Sequence, residues 1–151
     1  MNKKFVLLQA ELKLMNDAAS VLEYSYKKCR GIITKKRYTI KEQDAFEILT
    51  SRFARLSDII IQRIFKTIHS MDLDEISSVR DSINLAEKKN LVASAKGMVE
   101  IRELRNSIVH EYIPEVINVI YIKTKKLTPS LLENVRLINL YCKTTYSSSD
   151  I

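Results

Sequence analysis

From Phe5 through Leu8, Leu12, Met15, Ala19 and Leu22 to Tyr26, apolar residues return at steps of three and four, the spacing that gathers them on one stripe of an α-helix. The period recurs almost everywhere: Phe46, Leu49, Phe53, Leu56, Ile60, Ile64 and Ile68 hold it from 42 to 70. Against this, only two glycines (Gly31, Gly97) and two prolines (Pro114, Pro129) interrupt 151 residues. These supply too few turns for a β-sandwich or barrel, and no glycine-rich loop for a P-loop or Rossmann enzyme. The pattern predicts an all-α fold, an up-and-down antiparallel helical bundle of about five to six helices.

Gly31 supplies a stop for the first helix. Thr39 with Glu42 reads as a capping box opening the second. Asp72 or Asp74 is positioned to cap a third helix through Ile76, Val79, Ile83 and Ala86 to Asn90. Ser94 then caps a fourth, through Met98, Ile101, Leu104 and Ile108, which should stop near Tyr112 because Pro114 disfavours helical geometry at Ile113. As an N1 proline, Pro114 begins a fifth helix over 115–126, and Thr128 with Pro129 repeats the arrangement for a sixth ending near Lys143. The expectation is a single helical domain over residues 1–143 and a flexible C-terminal tail over 144–151. A chain of this length buries roughly 68 to 70% of its unfolded surface, enough for a core without staples.

Lys and Arg number 25 against 18 Asp and Glu, a net charge of +7, and the sequence pI is near 9.4. That balance favours a polyanionic partner. Cys29 and Cys142 lie far apart with no CxxC, and there are only two His. Two buried, reduced thiols are expected rather than a zinc site or disulfide framework. The N-terminal apolar run is broken by Gln9, Glu11 and Lys13 and no cleavage site follows, so a cytoplasmic protein with no membrane partner is expected.

The stretch from Ile101 to Glu115, IRELRNSIVHEYIPE, carries the most chemistry. With Met98 at 0° and roughly 100° per residue, Ile101, Leu104 and Ile108 fall near 300°, 240° and 280° and define the core arc; Arg105 lies at its edge, near 340°. A guanidinium there needs a polar cleft, a carboxylate or a phosphate. Asn106 and His110 share a face one turn apart, and the long reach of Arg105 is expected to bring all three groups to one patch. A histidine, with an ordinary pKa near 6.5, moves protons at neutral pH, and arginine grips phosphate oxygens bidentately. Those are the parts of a metal-independent ribonuclease, in which a ribose 2′-OH attacks the adjacent phosphorus while Arg and Asn stabilise the phosphorane. By spacing alone, a surface or capping pair is the competing reading.

The string RNSIVHEY, Arg105 to Tyr112, resembles the RNxxxHxY signature of HEPN-domain proteins, and in particular the HepT-like toxins paired with minimal nucleotidyltransferases. The motif matches at Arg105, Asn106, His110 and Tyr112; the likeness in architecture spans roughly residues 5 to 143. The resemblance implies a bacterial toxin–antitoxin pair of type II, or of the modification-based type VII. Its toxin is an endoribonuclease without cofactor or metal, acting on RNA with tRNA the plausible class. Arg105 and His110 would be the catalytic pair, with Asn106 supporting them. Tyr112 would receive AMP from the nucleotidyltransferase partner. Glu111 departs from the small or neutral residue many relatives carry there, and a carboxylate beside the His is expected to alter cleavage strength, either by acting on the imidazole or by repelling RNA.

Because each motif offers a single His, and acid and base roles need two proton-handling groups, a symmetric homodimer is expected. Between Glu23 and Glu42 no acidic residue interrupts Lys27, Lys28, Arg30, Lys35, Lys36, Arg37 and Lys41. Within this block Lys35, Lys36, Arg37 and Tyr38 form a candidate RNA contact, cations tracking the backbone and the tyrosine stacking a base. Lys123, Lys125 and Lys126 complement a helix C-terminus, and His69 reads as a helix-end or core histidine. Two alternatives to the enzyme remain, a non-catalytic adaptor binding a nucleotidyltransferase and a basic RNA-binding module.

Overall fold

The computed structural model describes residues 2–110 and 113–146, and these form an all-α helical bundle. In chain order the elements are α1 (Lys3–Cys29), α2 (Ile40–Asp58), a π-helical segment (Ile59–Ile64), α3 (Phe65–Met71), α4 (Val79–Lys88), α5 (Ala95–His110) and α6 (Pro114–Thr145). No helix among the described residues is long and apolar enough to cross a membrane.

Local chemistry explains most boundaries. Asn2 caps α1 by accepting from the Lys4 amide at 2.9 Å. The expected capping box opens α2: Thr39 N donates to Glu42 Oε1 at 2.9 Å and Glu42 N to Thr39 Oγ1 at 3.1 Å. Ser94 caps α5 by accepting from the Gly97 amide at 3.0 Å. After α3 and α4, paired amide bonds back to the last turn (Asp74 N to His69 O with Leu73 N to Ser70 O, then Leu91 N to Ala86 O with Asn90 N to Glu87 O) form Schellman ends. They place Leu73 and Asn90 at φ of 62° and 61°. Gly31 has no positive φ, so α1 ends without the left-handed glycine the sequence suggests.

Three expectations are corrected. Helix α4 begins at Val79 under a Ser78 cap, not at Asp72 or Asp74, because those carboxylates are engaged by Lys89. The fifth and sixth helices are one continuous α6 that passes through Pro129. Ile120, Tyr121, Thr124, Thr128, Leu131, Val135, Ile138 and Cys142 form an unbroken buried stripe across that proline. Burying each large apolar member contributes about 1.5–3 kcal/mol, which together outweighs the roughly 3 kcal/mol cost of an interior proline. Pro129 itself faces solvent. Lys125 therefore lies mid-helix, not at a C-terminus, and its Nζ donates to Ile32 O at 2.7 Å. Finally, α6 continues past 143 to Thr145, and the Tyr146 hydroxyl donates to Asp72 Oδ1 at 2.7 Å; residues 147–151 of the expected tail lie outside the described residues.

The core gathers α1, α2, the π segment, α3, α5 and α6. Phe46 stacks on Tyr121 with centroids 4.6 Å apart, and Phe53, Leu56, Ile60, Ile64 and Ile68 have no exposed surface. The three steps of four from Leu56 to Ile68 would drift about 120° around a plain α-helix. The wider π turn winds less per residue and keeps all four on the core side. Cys29 and Cys142 are buried, unpaired thiols, and burial pushes Cys142 up to about 12.

Candidate active site

On the long helical rod, Ser51, Arg55, Asp58 and Gln62 recur at steps of four, three and four, a polar stripe beside the apolar one. Helix α5 contributes Arg102, Arg105 and Asn106, and with Ser57, Ile59, Ile61 and Arg63 these rows line a cleft of about 650 Å³. An eight-residue separation on an α-helix would set Arg63 about 80° from Arg55. The slower winding of the π segment brings it back toward the stripe.

At this cleft Arg105 meets the carboxylate its position requires. Its Nε donates to Asp58 Oδ1 at 2.7 Å and its Nη2 to Asp58 Oδ2 at 3.0 Å, a bidentate pair. Nη1 donates to Asn106 Oδ1 at 3.2 Å. Three of the five guanidinium N–H groups are thereby used, leaving two for a ligand. The pair is 27% exposed at Arg105 and 41% at Asp58. At that exposure its net stabilisation is about 1 kcal/mol or less. It orients the guanidinium without locking it, and an incoming anion competes with Asp58 on nearly equal terms.

The structure joins Arg105 to Asn106 and leaves His110 apart. His110 is the last residue of α5, exposed, and outside the cleft lining. Five residues on, it stands about 7.5 Å further along the axis and about 140° around it, so one chain does not aim both side chains at one point. Glu111 and Tyr112 lie outside the described residues.

The basic loop is used differently from the expectation. Lys35 pairs with Glu42 at 2.9 Å, and this contact with the Thr39 amide holds the Glu42 carboxyl below the usual carboxylate range. The Tyr38 ring sits edge-on to Phe46 at 5.1 Å and to Tyr121 at 5.9 Å, and its hydroxyl donates to Asn118 Oδ1 at 2.6 Å. Tyr38 is therefore a partly buried anchor tying the loop to α6. Lys36 and Arg37 are exposed.

A second polar cluster closes the far end of the bundle. Asp72 accepts from Lys89 Nζ at 2.9 Å, Tyr141 at 2.5 Å and Tyr146 at 2.7 Å. Burial would raise the Asp72 pKa, but the hydrogen bonds from Tyr141, Lys89 and Tyr146 outweigh it and hold the group low. His69, buried as expected, meets Ser82 O through Nε2 at 3.0 Å, and its Nδ1 lies 3.0 Å from Lys89 Nζ. Lys89 can only donate and the carbonyl only accept, which fixes the neutral Nε2–H tautomer. Burial lowers the His69 pKa accordingly, so no charge–dipole stabilisation arises at this helix end.

The residues that sequence reasoning missed are Asp58 and the cations Arg55, Arg63 and Arg102. The 51–55–58–62 polar stripe was their available signal. No protein-family model, no curated protein and no solved structure matches this chain.

Proposed function

We propose that the chain is a metal-independent endoribonuclease of the HEPN type, with Arg105 and His110 as its catalytic pair. The observation that carries this reading is the state of Arg105: a guanidinium oriented by Asp58 and Asn106 at a cation-lined cleft, with two donors left over. His110 supplies the proton handling. As base it takes the 2′-OH proton, the oxygen attacks phosphorus, the P–O5′ bond breaks, and a protonated histidine returns a proton to the departing oxygen. Arg105 holds the charge that builds on the phosphorane. Asn106 supports the guanidinium, and tRNA is the proposed substrate class. The cognate nucleotidyltransferase would neutralise the enzyme by transferring AMP to Tyr112, placing a phosphate and a base where RNA approaches. The packing of Tyr38 and the Lys35–Glu42 pair weaken the alternative of a binding module built on the basic loop.

We propose a symmetric dimer in which the exposed His110 side chains of two copies face one another, one serving as base and the other as acid. Sedimentation at micromolar concentration should give twice the monomer mass for the cleaving species. A cleaving monomer would contradict the dimeric site.

A further inference from the structure

Arg55, Arg63 and Arg102 line the same cleft as Arg105, yet none makes an ion pair among the described residues. Asp58 is the only carboxylate in the lining, against four guanidiniums. A second, independent feature belongs to the same lining. Ser57 also lines the cleft, has no exposed surface, and its Oγ has no hydrogen-bond partner among the described residues. A buried hydroxyl without a partner is an unmade hydrogen bond, which a ligand oxygen in the cleft would complete.

We propose that this cleft is a binding site for a phosphate monoester dianion, gripped by Arg55, Arg63 and Arg102 and hydrogen-bonded by Ser57. Guanidiniums present forked N–H pairs that match phosphate oxygens, and a hydroxyl donates to a third oxygen. The dianion is favoured over a diester by charge: with Asp58 counted, the lining keeps an excess of three positive charges. A monoester neutralises two of them and a diester one. The cleft is the one at which Arg105 is proposed to meet an RNA diester, so the two ligands would compete for it, and a monoester that cannot be cleaved tests the cleft apart from the nuclease reading. Asp58 opposes the ligand directly, since its carboxylate faces the same cations and occupies one edge of Arg105.

The test is a titration of the full chain with methyl phosphate, inorganic phosphate and dimethyl phosphate at constant ionic strength, followed by calorimetry or amide chemical shifts. Methyl phosphate and inorganic phosphate should bind saturably at one site, with dimethyl phosphate about tenfold weaker. Affinity should fall below pH ~6 as the ester takes up a proton and becomes a monoanion. Arg63→Gln, an exposed position, should weaken methyl phosphate about tenfold, and Arg102→Gln similarly. Asp58→Asn should tighten it. Equal affinity for ester and diester, unchanged affinity in both arginine variants, or absence of saturable binding to wild type would each overturn the proposal. Because methyl phosphate cannot be cleaved as RNA is, failure here leaves the nuclease reading to its own assay.

Discussion

His110→Ala is expected to lower RNA cleavage by a factor of about 10² to 10⁴, the contribution typical of a positioned general acid–base. The side chain is exposed at the end of α5 and makes no packing contribution, so the thermal midpoint should stay within the range of an ordinary surface substitution, about 0.5 kcal/mol. Arg105→Ala should cost about 10² to 10³ in cleavage, as does removal of one donor to a developing oxyanion. Its stability effect is bounded by a half-exposed pair, about 1 kcal/mol. Arg105→Lys keeps the charge but loses the fork that satisfies both Asp58 oxygens, and should fall between wild type and alanine. Rates measured on a labelled RNA beside a circular-dichroism melt check all three. Full cleavage by a folded His110→Ala protein would remove that residue from the mechanism.

Asp72→Ala carries the largest stability effect. Three donors lose their acceptor at once, two of them the tyrosines that fasten α6 and the chain beyond it, and Lys89 keeps Asp74 and His69. Removing one partner from a buried charged network costs about 3–5 kcal/mol. Tyr146→Phe removes a single bond to a charged acceptor, about 1.5–3 kcal/mol. The pH dependence has a determined sign. The folded pKa of His69 is depressed, so its contribution is complete above the ordinary value of 6.5 and is lost as pH falls below it. Asp72 is also depressed, so its contribution is present above 3.8 and disappears as pH falls through its lower folded value. Tyr141 is raised to about 12 by burial and by its bond to Asp72, so its contribution is lost as pH rises from 10 toward 12. Urea unfolding should therefore show stability declining in two acid steps, and the lower step should shrink in Asp72→Ala. A loss under about 1 kcal/mol at neutral pH would mean that the cluster behaves as a surface ion pair.

The helices were legible because their stripes obey one period and their caps use side chains that satisfy specific amides; Thr39, Glu42 and Ser94 act as their chemistry dictates. The failures have equally local causes. Pro129 marks a helix start when read alone, but the buried stripe on either side of it is a long-range property that outweighs the local cost. Asp72 and Asp74 look like caps until Lys89, brought in by the tertiary fold, takes their oxygens. The π turn left a trace, the run of fours from Leu56 to Ile68, that a fixed helical period conceals. At the site, Arg105 stood out because it is a charge at the edge of a core arc, and Asn106 followed as its neighbour. Asp58, 47 residues earlier, has no sequence relation to them and becomes visible only when α2 packs on α5.

The proposed chemistry is cleavage of RNA by 2′-OH attack, using protein side chains alone. Its most direct test is to incubate the purified protein with total tRNA in excess EDTA and to determine the chemistry of the new termini. Wild type should form 2′,3′-cyclic phosphate ends with matching 5′-hydroxyl ends, and His110→Ala should form neither. Termini carrying 5′-phosphate, or cleavage abolished by the chelator, would contradict it.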